Sequence, residues 1–134
     1  MSVGLLLITH GLIGHALIEA ARNTLGERPI RIELLAISPE MTDTNELKNQ
    51  ATALYQQVDT GDGVIILTDL FGSTPANIAS ALLSLPRSLM ITGVNLPMII
   101  RLMNYADLPL EDLGEKGITG GHEGTFMMQE ENDD

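Results

Sequence analysis

Two short stretches carry residue types that together suit phosphoryl or proton transfer. In the first, Ile8-Thr9-His10-Gly11, an imidazole follows directly on an apolar run and precedes a glycine. In the second, LTDLFGSTP from Leu67 to Pro75, the Asp69 carboxylate ends another such run and is trailed by Gly72, Ser73 and Thr74. A carboxylate that accepts the proton on one ring nitrogen fixes the histidine tautomer and leaves the other nitrogen as nucleophile or base. Small residues, two hydroxyls and the free N–H groups of a helix opening at Pro75 suit an anion such as phosphate. Each charge interaction at an exposed helix end contributes only about 0.3–1 kcal/mol, so several donors must converge. A nucleophilic histidine, an orienting aspartate and an anion cradle point to phosphoryl transfer onto His10.

Every one of these residues also has a plainer role. A lone histidine at a strand end is more often a hydrogen-bonded structural residue, and an aspartate after a strand commonly bonds turn amides. Thr74 is most economically the N-cap of the helix behind it, a role compatible with phosphate binding, and Ser73 a turn residue. His15 falls opposite the apolar arc of its helix beside Glu19 and Arg22, and reads as solvated; His122 stands in a glycine-rich stretch. A metal site built from His10, Asp69 and His122 has no recognisable ligand spacing behind it, so no metal is expected. Neither a nucleotide phosphate loop nor a dinucleotide fingerprint is present.

The two stretches meet only if the fold brings their strand ends together. Val3 to Ile8 is a continuous β-prone run, as in a strand covered on both faces. Leu12, Ile13, Ala16, Leu17, Ala20, Ala21 and Leu25 then recur with helical period, ahead of Gly26 at a C-cap position. Ile30 to Ile37 reads as a second strand ended by Ser38-Pro39, and Asp43 with Glu46 as a capping pair for a helix reaching Val58. Val64 to Leu67 and Leu89 to Ile91 make strands three and four, with helices opening at Pro75 and Pro97. Leu108 to Leu113 fits a short helix, and the glycine-rich residues 117–128 have no assigned element. The alternation predicts an α/β fold, a doubly wound and mostly parallel sheet in the order 2-1-3-4 with helices on both faces. Ligands of such sheets bind beyond the strands' carboxyl ends, where the strand order reverses, and there strands one and three would bring His10 beside Asp69.

Composition bounds the rest. A chain of 134 residues fits one domain, with an aliphatic core since aromatics are 3% and there is no Cys or Trp. The absence of cysteine suits a reducing compartment. No apolar run approaches the ~20 residues of a spanning helix, and no basic leader precedes the first strand, so a cytoplasmic protein without membrane insertion is expected. A formal charge of −11 opposes polyanions, which makes nucleic acid and anionic membranes poor partners and a basic protein surface a good one.

THG after strand one, TDLFGSTP after strand three and GVNLPM (93–98) after strand four resemble the enzyme IIA component of the mannose/fructose/sorbose family of the phosphoenolpyruvate-dependent sugar phosphotransferase system. The similarity runs from residue 1 to about 128, which implies one IIA domain over 1–128 and an acidic tail over 129–134. The resemblance implies that Nε2 of His10 accepts a phosphoryl group from the phosphocarrier HPr and passes it to a IIB component for sugar uptake, with Asp69 holding Nδ1–H. Thr9, Gly72, Ser73 and Thr74 are then the expected phosphate-binding residues, and no cofactor is needed. It also implies a homodimer in which a C-terminal strand, over Gly121 to Met128, adds antiparallel to the other subunit's sheet. One departure is visible: the family carries two glycines and a serine before the proline, whereas this chain has Gly72-Ser73-Thr74. Should the replaced glycine require a positive φ, Ser73 would carry a steric cost. Two other readings stand beside this one. In the first, His10 phosphorylation controls a regulatory protein partner rather than transport; in the second, a small hydrolase uses the His–Asp pair as general base.

Overall fold

A computed structural model describes residues 2–131. Its elements are β1 (Gly4–His10), α1 (Ile13–Leu25), β2 (Ile32–Ile37), α2 (Thr44–Val58), β3 (Val64–Thr68), α3 (Thr74–Ala81) with a 3-10 turn at Leu82–Ser84, β4 (Ser88–Thr92), α4 (Leu96–Asn104) and α5 (Leu110–Glu123). All strand pairs are parallel and the order is β2-β1-β3-β4, so the reversal falls between β1 and β3.

The period-2 alternation of a strand sorts β1 into two cores. Leu5 and Leu7 pack with Ile18 of α1, Ile99 and Leu102 of α4 and Leu113 of α5. Leu6 and Ile8 pack on the other face with Leu47, Ala51 and Tyr55 of α2 and Ile78 of α3. Because both faces are covered, Leu5, Leu6, Leu7 and Ile8 are wholly buried, which is why the strand reads as an unbroken apolar run. Continuing the alternation, Thr9 belongs to the α1 side and His10 to the side of α2 and α3. Strand β1 thus carries two residues beyond the expected end at Ile8, and β2 starts at Ile32 rather than Ile30.

The C-terminal region differs from expectation. Instead of a short helix over Leu108 to Leu113 and a strand over Gly121 to Met128, one helix runs from Leu110 to Glu123, and residues 125–131 form neither helix nor strand. Glycine costs about 1 kcal/mol in a helix interior, but here glycines line the face that meets α4. A Cβ on Gly117 would stand 2.7 Å from Cδ2 of Leu102, and one on Gly120 2.7 Å from Cβ of Arg101. Close backbone approach, burial of Leu113 and an Arg101–Glu123 ion pair at 3.0 Å offset the propensity cost. Of the expected acidic tail, residues 129–131 are exposed, and Asn132 to Asp134 lie outside the described residues.

Candidate functional site

Main-chain register delivers the imidazole to the carboxylate. Along β1, the amides of Leu5 and Gly11 donate to Arg31 and Ile37 on the β2 side, whereas that of Gly4 donates to Gly63 on the β3 side. By the same alternation the His10 N–H faces β3, one step past the last pair, Ile8 with Thr68. No strand carbonyl awaits it there; instead Asp69 Oδ2 accepts it at 3.2 Å. The same oxygen lies 2.8 Å from His10 Nδ1. One carboxylate oxygen therefore fixes both the backbone and the ring of His10, and an ionised carboxylate, which only accepts, selects the tautomer with the proton on Nδ1. Nε2 is left with its lone pair, on a side chain 45% exposed, while Asp69 is 10% exposed. Asp69 Oδ1 is buried without a partner among the described residues, as is Thr68 Oγ1.

The loop after β3 resolves the question raised by Ser73. Gly72 takes the positive φ, +82°, and Ser73 sits at φ −95° and ψ 172°, ordinary extended backbone. The substitution therefore carries no left-handed strain. Ser73, not Thr74, caps α3: its hydroxyl donates to the Leu70 carbonyl at 2.6 Å and accepts from the Ala76 N–H at 3.4 Å. Thr74 is the first helical residue, directly before Pro75. The extended backbone of Ser73 explains the one-residue shift, since an N-cap residue lies outside helical φ/ψ.

Thr9 is placed differently from the expected phosphate ligand. Its side chain is fully buried, and its hydroxyl accepts the Gly14 N–H at 3.0 Å at the start of α1. Strand alternation turns it to the sheet face opposite His10, so its hydroxyl serves helix capping. Of the other expected loop ligands, Thr74 lines a cleft of about 340 Å³ with His10, Gly11, Ser38, Pro39 and Met41, and Gly72 and Ser73 are not in the lining of that cleft. Sequence reasoning missed Ser38 and Met41, although the pairing of His10 with Ile37 brings the end of β2 alongside. The turns after β1 and β3 present Leu12, Leu70 and Phe71 to solvent.

The third motif, GVNLPM, is structural. Asn95 Oδ1 accepts the Met98 N–H at 2.9 Å and caps α4, and its Nδ2 donates to the Gly121 carbonyl at 3.2 Å, tying α4 to α5. His15 and His122 are exposed, on α1 and α5. Among the described residues no three His, Asp or Glu side chains converge as metal ligands. No described helix is long and apolar enough to cross a membrane.

The family described as PTS system fructose IIA component matches residues 4–115. The PTS system mannose-specific EIIAB component of Escherichia coli K12 is 30% identical over 132 residues, which cover 96% of this chain. The chain spans about 40% of the length of that relative. Among solved structures, the mannose/sorbose specific IIA subunit of the phosphotransferase system from Enterococcus faecalis superposes with a TM-score of 0.85 at 20% identity, covering 98% of both chains. The PTS IIA protein associated with the fucose utilization operon of Streptococcus pneumoniae gives 0.78 at 26% identity, over 95% of this chain and 96% of that one. The chain belongs to the PTS fructose IIA component family.

Proposed function

We propose that this chain is a phosphocarrier in which Nε2 of His10 takes a phosphoryl group from phospho-HPr and hands it to a IIB component. The 2.8 Å contact between Nδ1 and Asp69 Oδ2, beside a half-exposed ring, carries this reading. With the proton held on Nδ1, the Nε2 lone pair attacks the donor's phosphorus in line. A new N–P bond forms as the donor's N–P bond breaks, and the departing imidazole keeps the bonding pair. The electrons on His10 come from a nitrogen that carried no proton, so no base is required. As the ring becomes cationic in character, the buried Asp69 carboxylate stabilises it. The start of α3 supplies the complementary end: a helix N-terminus favours the phosphoryl dianion, and Thr74 offers its hydroxyl from the same cleft. Donor and product are both phosphohistidines, so the exchange is nearly balanced and needs no cofactor.

Residues 1–128 act as a single IIA domain in this reading, and two copies form a homodimer through the C-terminal segment. Phe126, Met127 and Met128 are 71%, 85% and 80% exposed in a stretch without helix or strand. Strand β4 is an open edge, and beside it Leu89, Ile91, Gly114 and Ile118 line a groove of about 500 Å³. An extended segment of a second copy would pair with that edge and cover both apolar surfaces. A solution mass of one chain by light scattering would remove the dimer.

Incubation with phosphoenolpyruvate, enzyme I and HPr, read by intact mass, tests the carrier reading. Wild type should gain one phosphoryl group and His10→Gln none; an equal gain on both would overturn it.

A further inference from the structure

We propose that Ser38, at the tip of β2, donates a hydrogen bond to the phosphoryl group carried by His10, a role that rests on the carrier reading above. Hydroxyls on segments bordering His10 include those of Thr9, Ser38, Thr68, Ser73 and Thr74, and hydrogen bonding together with the cleft lining separates them; that of Thr68 is unpaired but wholly buried and outside the cleft. Thr9 is buried on the opposite face of the sheet, where it accepts the Gly14 N–H, and the Ser73 hydroxyl donates to Leu70 and accepts from Ala76. Those of Ser38 and Thr74 have no partner among the described residues, and both residues line the cleft of His10. They come from opposite sides of it, Thr74 from the start of α3 and Ser38 from the loop between β2 and α2.

The main chain holds Ser38 in place before any ligand arrives. Ile37 is the register partner of His10, and its carbonyl accepts the Gly11 N–H at 2.9 Å, so the residue after Ile37 is anchored beside the turn that follows His10. The Ser38 carbonyl accepts the Met41 N–H at 3.1 Å, which closes a turn. Pro39 biases Ser38 toward extended backbone. A hydroxyl on so constrained a backbone loses little freedom when it binds. The ligand has the matching chemistry: three phosphoryl oxygens on Nε2 accept hydrogen bonds, and bonds to a charged acceptor are the stronger kind. Glu40 in the same loop is exposed and outside the cleft lining, so solvent and salt screen its repulsion of the dianion.

The test is the equilibrium of phosphoryl exchange with HPr, read by intact mass on wild type, Ser38→Ala and Ser38→Thr, with the thermal midpoint of each unphosphorylated protein. Ser38→Ala should shift the equilibrium toward phospho-HPr about tenfold, the scale of one hydrogen bond to a charged group. Ser38→Thr, which keeps the hydroxyl, should stay within about twofold of wild type. The thermal midpoints should agree. An unshifted Ser38→Ala overturns the proposal, and so does a shift shared by Ser38→Thr or matched by a lowered midpoint, either of which makes Ser38 a loop residue only. Failure of wild type itself to take up a phosphoryl group would instead strike the carrier reading.

Discussion

The two ends of the sheet hold cavities of unequal size and opposite character. At the carboxyl end, about 340 Å³ opens beside His10; at the amino end, about 840 Å³ opens among Asp62, Arg87, Asp107, Glu111 and Asp112. Size does not follow chemistry here. Around the larger space Arg87 and Tyr55 hold loops, and the carboxylates of Asp62, Asp107, Glu111 and Asp112 give it a negative lining that repels an anion. Arg87 donates to the Gly61 carbonyl, its own carbonyl accepts the Val64 N–H, and the Tyr55 hydroxyl donates to the Pro86 carbonyl at 3.1 Å. At the carboxyl end, by contrast, His10 and the hydroxyl residues Ser38 and Thr74 line one cleft, and neither hydroxyl has a partner among the described residues. Unpaired donors beside a nucleophile suit an anion, whereas a ring of carboxylates does not.

This contrast predicts that substitutions at the carboxyl end change transfer and spare stability, whereas those at the amino end do the reverse. The largest effect belongs to Asp69→Asn. An amide retains the shape but can present its N–H to the ring, which favours the wrong tautomer, and it no longer balances the charge on phospho-His10. Stopped transfer assays should show a rate about a hundredfold lower with an unchanged thermal midpoint; an unaltered rate would give the carboxylate some other duty. The smaller effect belongs to Tyr55→Phe, which should lower stability by about 1 kcal/mol in denaturant titrations and leave phosphoryl uptake as in wild type. Its signature lies in pH. Burial first, and the nearby Asp59 charge second, raise the Tyr55 hydroxyl above its ordinary value of 10.0, while the polar side chain of Ser88 pulls the other way. The stabilising term is therefore complete below about pH 10, the unfolded value, and is lost as pH rises through the higher folded value. Tyr55→Phe should flatten that alkaline decline. A change in transfer from Tyr55→Phe would erase the distinction between the two ends.

Much of the architecture was legible because its signals are local. Continuous aliphatic runs mark the buried strands, and Pro75, Pro97 and the Asp43–Glu46 pair mark helix starts. His10 and Asp69 were legible for a related reason: both stand at strand tips, and the strand order places those tips side by side. Where packing between distant segments decides, local signals mislead. The glycines of α5 read as breakers, yet they let α5 approach Leu102 and Arg101 of α4. Thr9 sat beside the histidine in sequence, and the alternation of β1 turned it to the other face of the sheet. No local signal marks Ser38 as a neighbour of His10, since it is register with β2 that brings it alongside from about thirty residues away.

The central claim concerns one nitrogen. Phosphorus and nitrogen NMR on the phosphorylated wild-type protein should find the phosphoryl group on Nε2 of His10, with Nδ1 still protonated and hydrogen-bonded to Asp69. A phosphoryl group on Nδ1, or on any other residue, would contradict the account.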